Sequence, residues 1–371
     1  MALTEIFCQD NAVNFLQRAY ATGRLPHALV FAGPEGVGKF TTAREWAKVL
    51  LCYEPRGDDG FVDSCGRCQS CRLFESGSHP DYHHVYRELV YFTSEGRYKK
   101  TPPVDLPIDV VREFLIDRVA SRPSLSQRRV FVVDQAEKLS TAAQNSMLKV
   151  LEEPPTYCTI ILLCTQTEPL LPTIRSRCQL VRFGPVCQQK IVEKLNQMGL
   201  EDAQCQYWAR LCQGSIGRAC RWAALELAGA ELYATKKQLV ESLAKYRYRD
   251  ALKFAQWCIE KTRRLAAAWT ELEPDTSRTD VNRRAQKTII SIIISALHDA
   301  MRWNADNTAA LVNLDQSPQI ESLGRRYTCE QAAESISRCH RTLRFIDASV
   351  NEKLLFEQLL LRLADADIMR V

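Results

Sequence analysis

The sequence has no apolar run long enough to cross a membrane. Its most apolar stretch, residues 289–297, is about half as long as a membrane helix and is interrupted by Ser291 and Ser295. The first residues, Met1 to Phe7, also lack the basic segment and apolar core of a secretory signal. These absences exclude a membrane partner and predict a chain of the reducing cytoplasm.

A strong excess of charge is also lacking. The 371 residues include 49 basic and 44 acidic ones, and the net charge of +5 permits contact with phosphates without identifying a nucleic-acid binder. Internal repeats and low-complexity segments are absent as well. With 46% hydrophobic residues, the composition is that of an ordinary globular protein with room for two or three domains.

Strand and helix patterns alternate through the first half of the chain. Continuous apolar runs, typical of strands buried on both faces, occur at 28–32, 130–133 and 159–164. Helical patterns separate them, which predicts an α/β domain with a parallel sheet covered by helices on both faces.

After Gly184 and Pro185 the strand patterns almost vanish. Short helices are predicted first and longer ones follow, with a loop expected around Pro318. The predicted domains are an α/β domain at 1–185, a small helical domain at 186–230 and a larger helical domain at 231–371.

A phosphate-binding loop is predicted between the first strand and the helix after it. Its defining residues are Gly33, Gly36, Gly38 and Lys39. Glycines allow backbone N–H groups to surround a polyphosphate, and the lysine would reach the terminal phosphates. The motif normally ends in a hydroxyl residue that helps to hold Mg²⁺, but this chain has Phe40 there. Thr41 follows, rotated by about 100° around the helix from that position.

A second difference from an active P-loop ATPase follows the strand predicted at 129–133. Asp134 lies where a carboxylate would help to hold Mg²⁺, but the next residue, which in an active ATPase of this type is usually a glutamate that polarises water, is Gln135. An amide can orient water but cannot accept its proton. Glu137 is nearby, displaced by two residues. The two departures predict a loop that could hold ATP without hydrolysing it.

Clustered cysteines predict a metal site in a Gly- and Cys-rich insertion at 52–80. Cys65, Cys68 and Cys71 are spaced by two residues each, and Cys52 lies upstream as a fourth ligand. Four thiolates suit a tetrahedral Zn²⁺ and leave no open position for water, so the zinc would be structural. His79 is a competing fourth ligand.

Several segments together resemble the bacterial AAA+ clamp-loader subunits of DNA polymerase III. They are Gly23–Leu29 (GRLPHAL), Asn145–Pro155 (NSMLKVLEEPP), Arg175–Cys178 (RSRC) and the four-cysteine insertion. The resemblance is strong over residues 5–185 and weak at 214–218 and 350–357. It implies an AAA+ P-loop domain with a zinc-binding insertion, then a small helical lid domain and an all-α collar domain.

Two branches of this family share these motifs. The ATP-hydrolysing gamma/tau branch keeps the loop hydroxyl and the glutamate, and this chain has neither, so it is more similar to the non-hydrolysing delta-prime branch. That similarity implies a component of a polymerase holoenzyme that is not an enzyme by itself. The implied partners are gamma/tau and delta subunits and, through the complex, the sliding clamp and primed DNA.

The resemblance also implies roles for single residues. Arg177 would project as an arginine finger toward ATP bound by the neighbouring subunit, although Arg175 and Arg182 are close enough to confuse the assignment. Thr165 would be the polar residue that senses nucleotide at the end of a strand. Arg218 lies near a second sensor position, and its role is left open.

Two other functions are compatible with the sequence. One is an active gamma/tau-type ATPase in which Thr41 or Thr42 replaces the missing hydroxyl. The other is a stand-alone zinc-dependent DNA-binding protein. The segment Lys245–Arg249 alternates basic and aromatic residues as some nucleic-acid surfaces do, but a solvated helix face has the same pattern. Nucleotide occupancy, ring stoichiometry and direct DNA contact are left open by the sequence.

Overall fold

A computed structural model describes residue 3 and residues 6–58, 61–94, 105–274, 276–305, 311–348 and 350–364. The chain divides into two compact units. The first comprises residues 1–187 and 214–217, and the second comprises residues 188–213 and 218–371.

The first unit contains all of the described strands. In chain order its elements are α1 (Asp10–Ala21), β1 (Ala28–Ala32), α2 (Lys39–Leu51), β2 (Arg56–Asp58), β3 (Phe61–Asp63), α3 (Gln69–Glu75), β4 (Tyr82–Val85), a 3₁₀ helix (Arg87–Phe92), α4 (Ile108–Val111), a π-helical stretch (Arg112–Ile116), α5 (Asp117–Val119), β5 (Arg129–Val133), a 3₁₀ turn (Ala136–Lys138), α6 (Thr141–Glu152), β6 (Cys158–Cys164), α7 (Pro172–Arg175) and β7 (Gln179–Arg182).

Five of these strands form one parallel sheet in the order β4-β5-β6-β1-β7. The central pairing of β1 with β6 sets Ala28 opposite Ile160. Alternate residues of each strand face opposite sides of the sheet, so Val30 and Phe131 belong to one apolar core and Leu29 and Val130 to the other. The predicted α/β fold, a parallel sheet flanked by helices, is confirmed.

The insertion after α2 has secondary structure of its own. Strands β2 and β3 pair as an antiparallel hairpin, with Arg56 opposite Asp63, and α3 follows. Strands of three residues are too short to produce a detectable periodicity, so the sequence pattern did not predict them.

The second unit is helical in its described part. Its elements are α8 (Gln188–Gln197), α9 (Asp202–Leu211), α10 (Ile216–Leu227, whose first two residues belong to the first unit), α11 (Leu232–Lys245), a 3₁₀ turn (Tyr248–Asp250), α12 (Ala251–Leu272), α13 (Arg278–Asn304), a 3₁₀ turn (Leu314–Gln316), α14 (Ser317–Arg326), α15 (Cys329–Asp347) and α16 (Glu352–Ala364).

Helix α13 is central to this unit and packs against α11, α12, α14 and α15. It contains the most apolar stretch of the sequence, including Ile289 and Ile293, which are fully buried. Among the described helices, none is both long and apolar enough to span a bilayer. The proposed boundary between two helical domains near residue 230 stays a prediction.

The expectation of a loop at Pro318 was wrong. Pro318 lies in the first turn of α14. Proline is tolerated there because an N–H in the first turn has no intrahelical acceptor, and its fixed φ suits a helix start. The pattern of later residues, with Ile320 and Leu323 buried, defines the helix.

Candidate nucleotide and metal sites

The loop between β1 and α2 brings the predicted phosphate-binding residues together. Lys39 begins α2, and its Nζ donates hydrogen bonds to the carbonyl oxygens of Gly33 at 2.6 Å and Pro34 at 2.7 Å. Gly33 is required sterically, since a Cβ there would lie 2.3 Å from the carbonyl oxygen of Phe183.

Two residues that support this loop were not selected from the sequence. The buried side-chain amide of Gln9 donates to the carbonyl oxygens of Val37 at 3.2 Å and Gly184 at 2.8 Å. The N–H of Gly217 donates to the carbonyl oxygen of Gly36 at 2.8 Å, and a Cβ at Gly217 would lie 3.1 Å from the Cα of Gly36. The weak resemblance at 214–218 was the only sequence signal for Gly217, and Gln9 had none.

Phe40 packs against a histidine at the position where a P-loop normally carries its hydroxyl. The rings of Phe40 and His84 have centroids 4.8 Å apart, and His84 lies on the edge strand β4. Burial lowers the pKa of His84 to about 4, and its Nε2 is buried without a hydrogen-bond partner. An apolar ring beside a neutral imidazole therefore stands where a metal-binding hydroxyl is expected.

The hydroxyl of Thr42, one of the two threonines after Phe40, is engaged within its own helix. Thr42 is buried, and its hydroxyl donates to the carbonyl oxygen of Gly38 at 2.9 Å, one turn back in the helix. Thr41 is half-buried in the first turn of α2. A hydroxyl that is bonded to its own helix is a poor replacement for a metal ligand.

The histidine pair on β4 predicts a pH-dependent stability. Burial lowers the pKa values of both His83 and His84 to about 4, compared with about 6.5 in the unfolded chain. Between these values the unfolded chain binds protons that the folded chain does not, so the free energy of unfolding should fall as the pH drops from 6.5 toward 4. Urea unfolding at pH 7 and pH 5 measures this loss.

The variant His84→Phe keeps a ring against Phe40 and removes one titrating group, so its loss of stability between pH 7 and pH 5 should be smaller than that of the parent chain. His340→Gln, at an exposed position on α15, is the matched control and should behave as the parent does. An equal loss in the parent and in His84→Phe would contradict a buried neutral imidazole.

Asp134 directly follows β5. The side chain of Asp134 accepts a hydrogen bond from the N–H of Gln135 at 2.9 Å. Burial raises the pKa of Asp134, and the nearby Glu137 raises it further, while Lys39 opposes the shift. Gln135 itself is exposed and has a left-handed backbone, with φ of 50°.

Glu137 belongs to this site, although it lies two residues after the position where the sequence pattern places a glutamate. The 3₁₀ turn Ala136–Lys138 follows Gln135, and Oε1 of Glu137 accepts hydrogen bonds from Thr165 Oγ1 at 2.7 Å and from Thr165 N at 3.3 Å. Its Oε2 is buried without a partner. Burial lowers the pKa of Lys39, and Glu137 is the strongest of the charges that oppose this shift. The structure thus joins Lys39, Glu137 and Thr165 at one end of the sheet.

Arg177 lies just beyond α7 and is held by its own chain. Its Nη2 is 2.6 Å from Oε1 of Glu152, the last residue of α6, and its Nη1 donates to the carbonyl oxygen of Thr173 at 2.9 Å. The Arg177 side chain is 34% exposed. Arg175 and Arg182 are more exposed. The ion pair with Glu152 fixes the direction of the Arg177 guanidinium at the surface.

Arg218 lies in the second unit, and its guanidinium carbon is 5.9 Å from the ring centroid of Trp222. This contact with the next turn of its own helix is a structural one, and its role toward nucleotide stays open.

The four predicted cysteines are brought together at the base of the insertion. Sγ atoms of Cys52, Cys65, Cys68 and Cys71 all lie within 4.8 Å of one another. The Cys52–Cys68 and Cys65–Cys71 separations are 3.9 and 4.0 Å. Ligands about 2.3 Å from a tetrahedral Zn²⁺ would be about 3.8 Å apart, so the spacing fits this ion.

Backbone hydrogen bonds around the cluster also suit thiolates. The N–H groups of Cys65, Cys68 and Cys71 donate to the sulfur atoms of Cys52, Cys65 and Cys68 at 3.3 to 3.4 Å. Each such bond stabilises negative charge on sulfur, the form that binds metal. The cluster can therefore hold a metal ion.

The alternative ligand His79 is used elsewhere. Its Nδ1 accepts from the N–H of Asp81 at 3.1 Å, and its Nε2 is 3.0 Å from the hydroxyl of Ser70. Both ring nitrogens are thus engaged in hydrogen bonds, and the histidine lies outside the group of four sulfurs.

Comparison with known families matches both ends of the chain to models of one replication protein. Residues 8–187 match the family described as "DNA polymerase III, delta subunit", and residues 280–365 match "DNA polymerase III, delta subunit, C terminal".

Individual relatives carry related names. The delta' subunit of DNA polymerase III from Escherichia coli is 32% identical over 62% of this chain and 62% of its own length. The delta' subunit from Yersinia pestis is 28% identical over 92% of this chain and 90% of its own. The tau subunit from Bacillus subtilis is 30% identical over 57% of this chain and 35% of its own length. The chain thus spans about three fifths of the Escherichia coli relative and most of the Yersinia pestis one.

Proposed function

This chain belongs to the DNA polymerase III delta' family, and we propose that it is a clamp-loader subunit that does not hydrolyse ATP itself. It would assemble with gamma/tau and delta subunits and, through that complex, act on the sliding clamp and primed DNA in the cytoplasm. The observation that carries this proposal is a retained P-loop lysine, Lys39, beside two residues that cannot do the hydrolytic chemistry, Phe40 and Gln135.

The first departure acts on the metal. A hydroxyl at the Phe40 position would help to hold Mg²⁺, which bridges the β- and γ-phosphates and neutralises the charge that develops in phosphoryl transfer. The Phe40 ring contacts His84, whose low pKa leaves it neutral at pH 7. The Phe40 ring and the neutral His84 imidazole supply no oxygen ligand and no charge to a metal. ATP held by the loop would therefore lack one of the groups that normally positions its Mg²⁺.

The second departure acts on the attacking water. Gln135 is exposed and cannot accept a proton, so it can only orient water. Lys39, Asp134 and Thr165 remain to contact a bound nucleotide, and with Gly33, Gly36, Gly38 and Thr41 they form the proposed site. We therefore propose that this site binds ATP without hydrolysing it.

Catalysis would occur at the neighbouring subunit. We assign Arg177 as the arginine finger because it is partly exposed and its guanidinium is oriented by Glu152 and Thr173. A guanidinium placed at the γ-phosphate of ATP bound by the neighbour would stabilise the charge of the transition state. This chain would thus supply one catalytic group to a partner.

Zinc would organise the insertion. Cys52 directly follows α2, whose first residue is Lys39, and Ser70 beside Cys71 donates to the carbonyl oxygen of Leu51 at 2.7 Å. Zn²⁺ held by Cys52, Cys65, Cys68 and Cys71 would therefore fasten the hairpin and α3 to the end of α2, with no position open for catalysis.

One observation favours the alternative of an active ATPase. Glu137 is a carboxylate at the site, and it could serve as the base that Gln135 cannot be. The proposal of no hydrolysis therefore predicts that ATP turnover by the purified chain equals that of Lys39→Ala, measured as phosphate release with Mg²⁺.

The matched comparison for that measurement is Glu137→Gln, which keeps the size of the side chain and removes its basicity. If the parent chain hydrolyses ATP faster than Lys39→Ala does, and Glu137→Gln loses this excess, the chain is an active gamma/tau-type ATPase and the proposal is overturned. Equal background in all three proteins is the expected result.

A further inference from the structure

Two cysteine side chains outside the metal cluster are in contact in the first unit. Cys8 lies two residues before α1, and Cys187 directly precedes α8. The Cys8 thiol donates to the Cys187 sulfur, and the two Sγ atoms are 3.4 Å apart. The residues are separated by 179 positions in the chain, so no local spacing marks them as a pair. Only the fold brings these two thiols together.

The backbone on both sides of this contact is held by hydrogen bonds. Gln9, next to the first thiol, donates through its side-chain amide to the carbonyl oxygen of Gly184 at 2.8 Å and accepts from the N–H of Gly184 at 3.1 Å. The N–H of Val186, next to the second thiol, donates to the carbonyl oxygen of Gly214 at 3.0 Å. These bonds keep the two thiols side by side, which raises their effective concentration toward each other.

The two thiols differ in their access to solvent. Cys187 is exposed, whereas Cys8 is half-buried. Burial raises the pKa of the Cys8 thiol, the N–H of Cys187 opposes this shift, and the nearby Asp10 adds to it. A dissolved oxidant therefore reaches the Cys187 sulfur first, while Cys8 waits as a protonated thiol in contact with it.

We propose that Cys8 and Cys187 are a redox-active pair that a peroxide converts to a disulfide. The Cys187 thiolate attacks one oxygen of hydrogen peroxide, the O–O bond breaks, hydroxide leaves and Cys187 becomes a sulfenic acid. The Cys8 sulfur then loses its proton and attacks the Cys187 sulfur, and the sulfenic oxygen leaves as water. The two sulfurs lose two electrons to the peroxide, so two thiols and one hydrogen peroxide give one disulfide and two waters.

The disulfide would fasten the start of α1 to the segment after β7. Gln9 at the same place supports the P-loop through the carbonyl oxygen of Val37. A bond across so long a stretch of chain removes much of the freedom of the unfolded state, so it should stabilise the folded one. In a reducing compartment the bond would be transient, because thiols of low molecular weight reverse it by exchange. The inference involves neither ATP hydrolysis nor Arg177, so it succeeds or fails independently of the proposed function.

The test treats the full chain, purified in the presence of zinc, with an equimolar amount of hydrogen peroxide. The remaining thiols are blocked with iodoacetamide, and the monomer fraction from gel filtration is digested with trypsin without reductant. Trypsin should release Cys8 in residues 1–18 and Cys187 in residues 183–190. Mass spectrometry should find these two peptides linked, and dithiothreitol should separate them. Absence of the linked peptides from the monomer would overturn the proposal.

The variant Cys8→Ser removes the second thiol of the reaction. Cys187 should then stop at the sulfenic acid, so labelling of residues 183–190 by dimedone should be about tenfold higher or more than in the parent. Cys329→Ser, at another exposed cysteine, is the matched control and should give the linked peptides at the yield of the parent. Equal dimedone labelling in the parent and in Cys8→Ser, or equal yields of links from Cys187 to other cysteines, would overturn the pairing.

The melting temperature shows whether the bond fits the native structure. The oxidised parent should melt about 5 °C or more above the reduced parent, because the disulfide closes a long loop. Cys8→Ser treated with the same peroxide should show no rise, and its reduced form should melt near the reduced parent, which verifies that the variant is folded. Linked peptides together with a lowered melting temperature would show that the bond distorts this contact, and would overturn the assignment of a built redox pair.

Discussion

Replacing Arg177 with alanine in a reconstituted clamp loader is expected to lower ATP turnover at the neighbouring subunit's site by about 10³-fold or more, while the complex still assembles. The reason is electrostatic, because negative charge develops on the transferred phosphoryl group. Arg177 is the cationic side chain of this subunit that we assign to stabilise that charge. Single-turnover hydrolysis measures the chemical step, and gel filtration of the mixed subunits checks assembly. Clamp loading on primed DNA should fall together with hydrolysis.

Two variants make this result specific. Arg175→Ala removes a more exposed arginine at the end of α7 and should leave turnover near that of the parent complex. Arg177→Lys keeps the charge but loses the planar fork of donors, so an intermediate rate is expected. Normal turnover in the Arg177→Ala complex would contradict the proposed role of the arginine. Equal losses of turnover in Arg177→Ala and Arg175→Ala would show a general effect of surface charge.

Removing one ligand of the cysteine cluster should have the largest effect on stability. Cys68→Ser is expected to abolish tight binding of zinc, whose free energy of binding to structural four-ligand sites is on the order of 10–16 kcal/mol at pH 7. That energy stabilises the insertion because all four ligands lie in it, in addition to the packing of Val62 and Phe74 in the apolar core that contains Leu29. Elemental analysis measures zinc per chain, and hydrogen exchange measures protection of residues 61–80.

The fold of the sheet should survive this substitution. Its two apolar cores lie on the faces of the five-stranded sheet, and the contacts of Val30, Phe131, Leu29 and Val130 do not involve the metal ligands. Protection should therefore be lost in the insertion and kept in β1, β5 and β6. Cys329→Ser, at an exposed position on α15, is the control and should retain the full zinc content. Freshly purified parent protein without zinc would contradict the four-thiolate assignment outright.

The features that the sequence predicted well depend on residues that are close together in the chain. Consecutive apolar residues indicated β1, β5 and β6 within about one residue of their observed bounds, because a strand buried on both faces tolerates little polarity. The spacing of Cys65, Cys68 and Cys71 indicated a cluster for a similar reason, since two-residue spacers return the chain to one point. In both cases the residues that form the pattern are close together in the chain.

The residues that were missed act across long separations or through an unusual backbone. Glu137 was discounted because it is two positions from the expected glutamate, but the left-handed backbone of Gln135 and the 3₁₀ turn after it bring its carboxylate to Thr165. Gln9 supports the P-loop from the start of α1, and no local pattern marks a glutamine whose acceptors are distant backbone carbonyls.

The sequence by itself determined the class of fold, the P-loop with its aromatic departure at Phe40, and the four sulfur ligands, because each depends on residue type and short-range spacing. Only the tertiary structure decided that His84 packs against Phe40, that Glu152 pairs with Arg177, and that Glu137 reaches Thr165. Such contacts join elements far apart in the chain. Burial, charge and direction at those points depend on how strands and helices pack, and a linear pattern of residues carries no record of that packing.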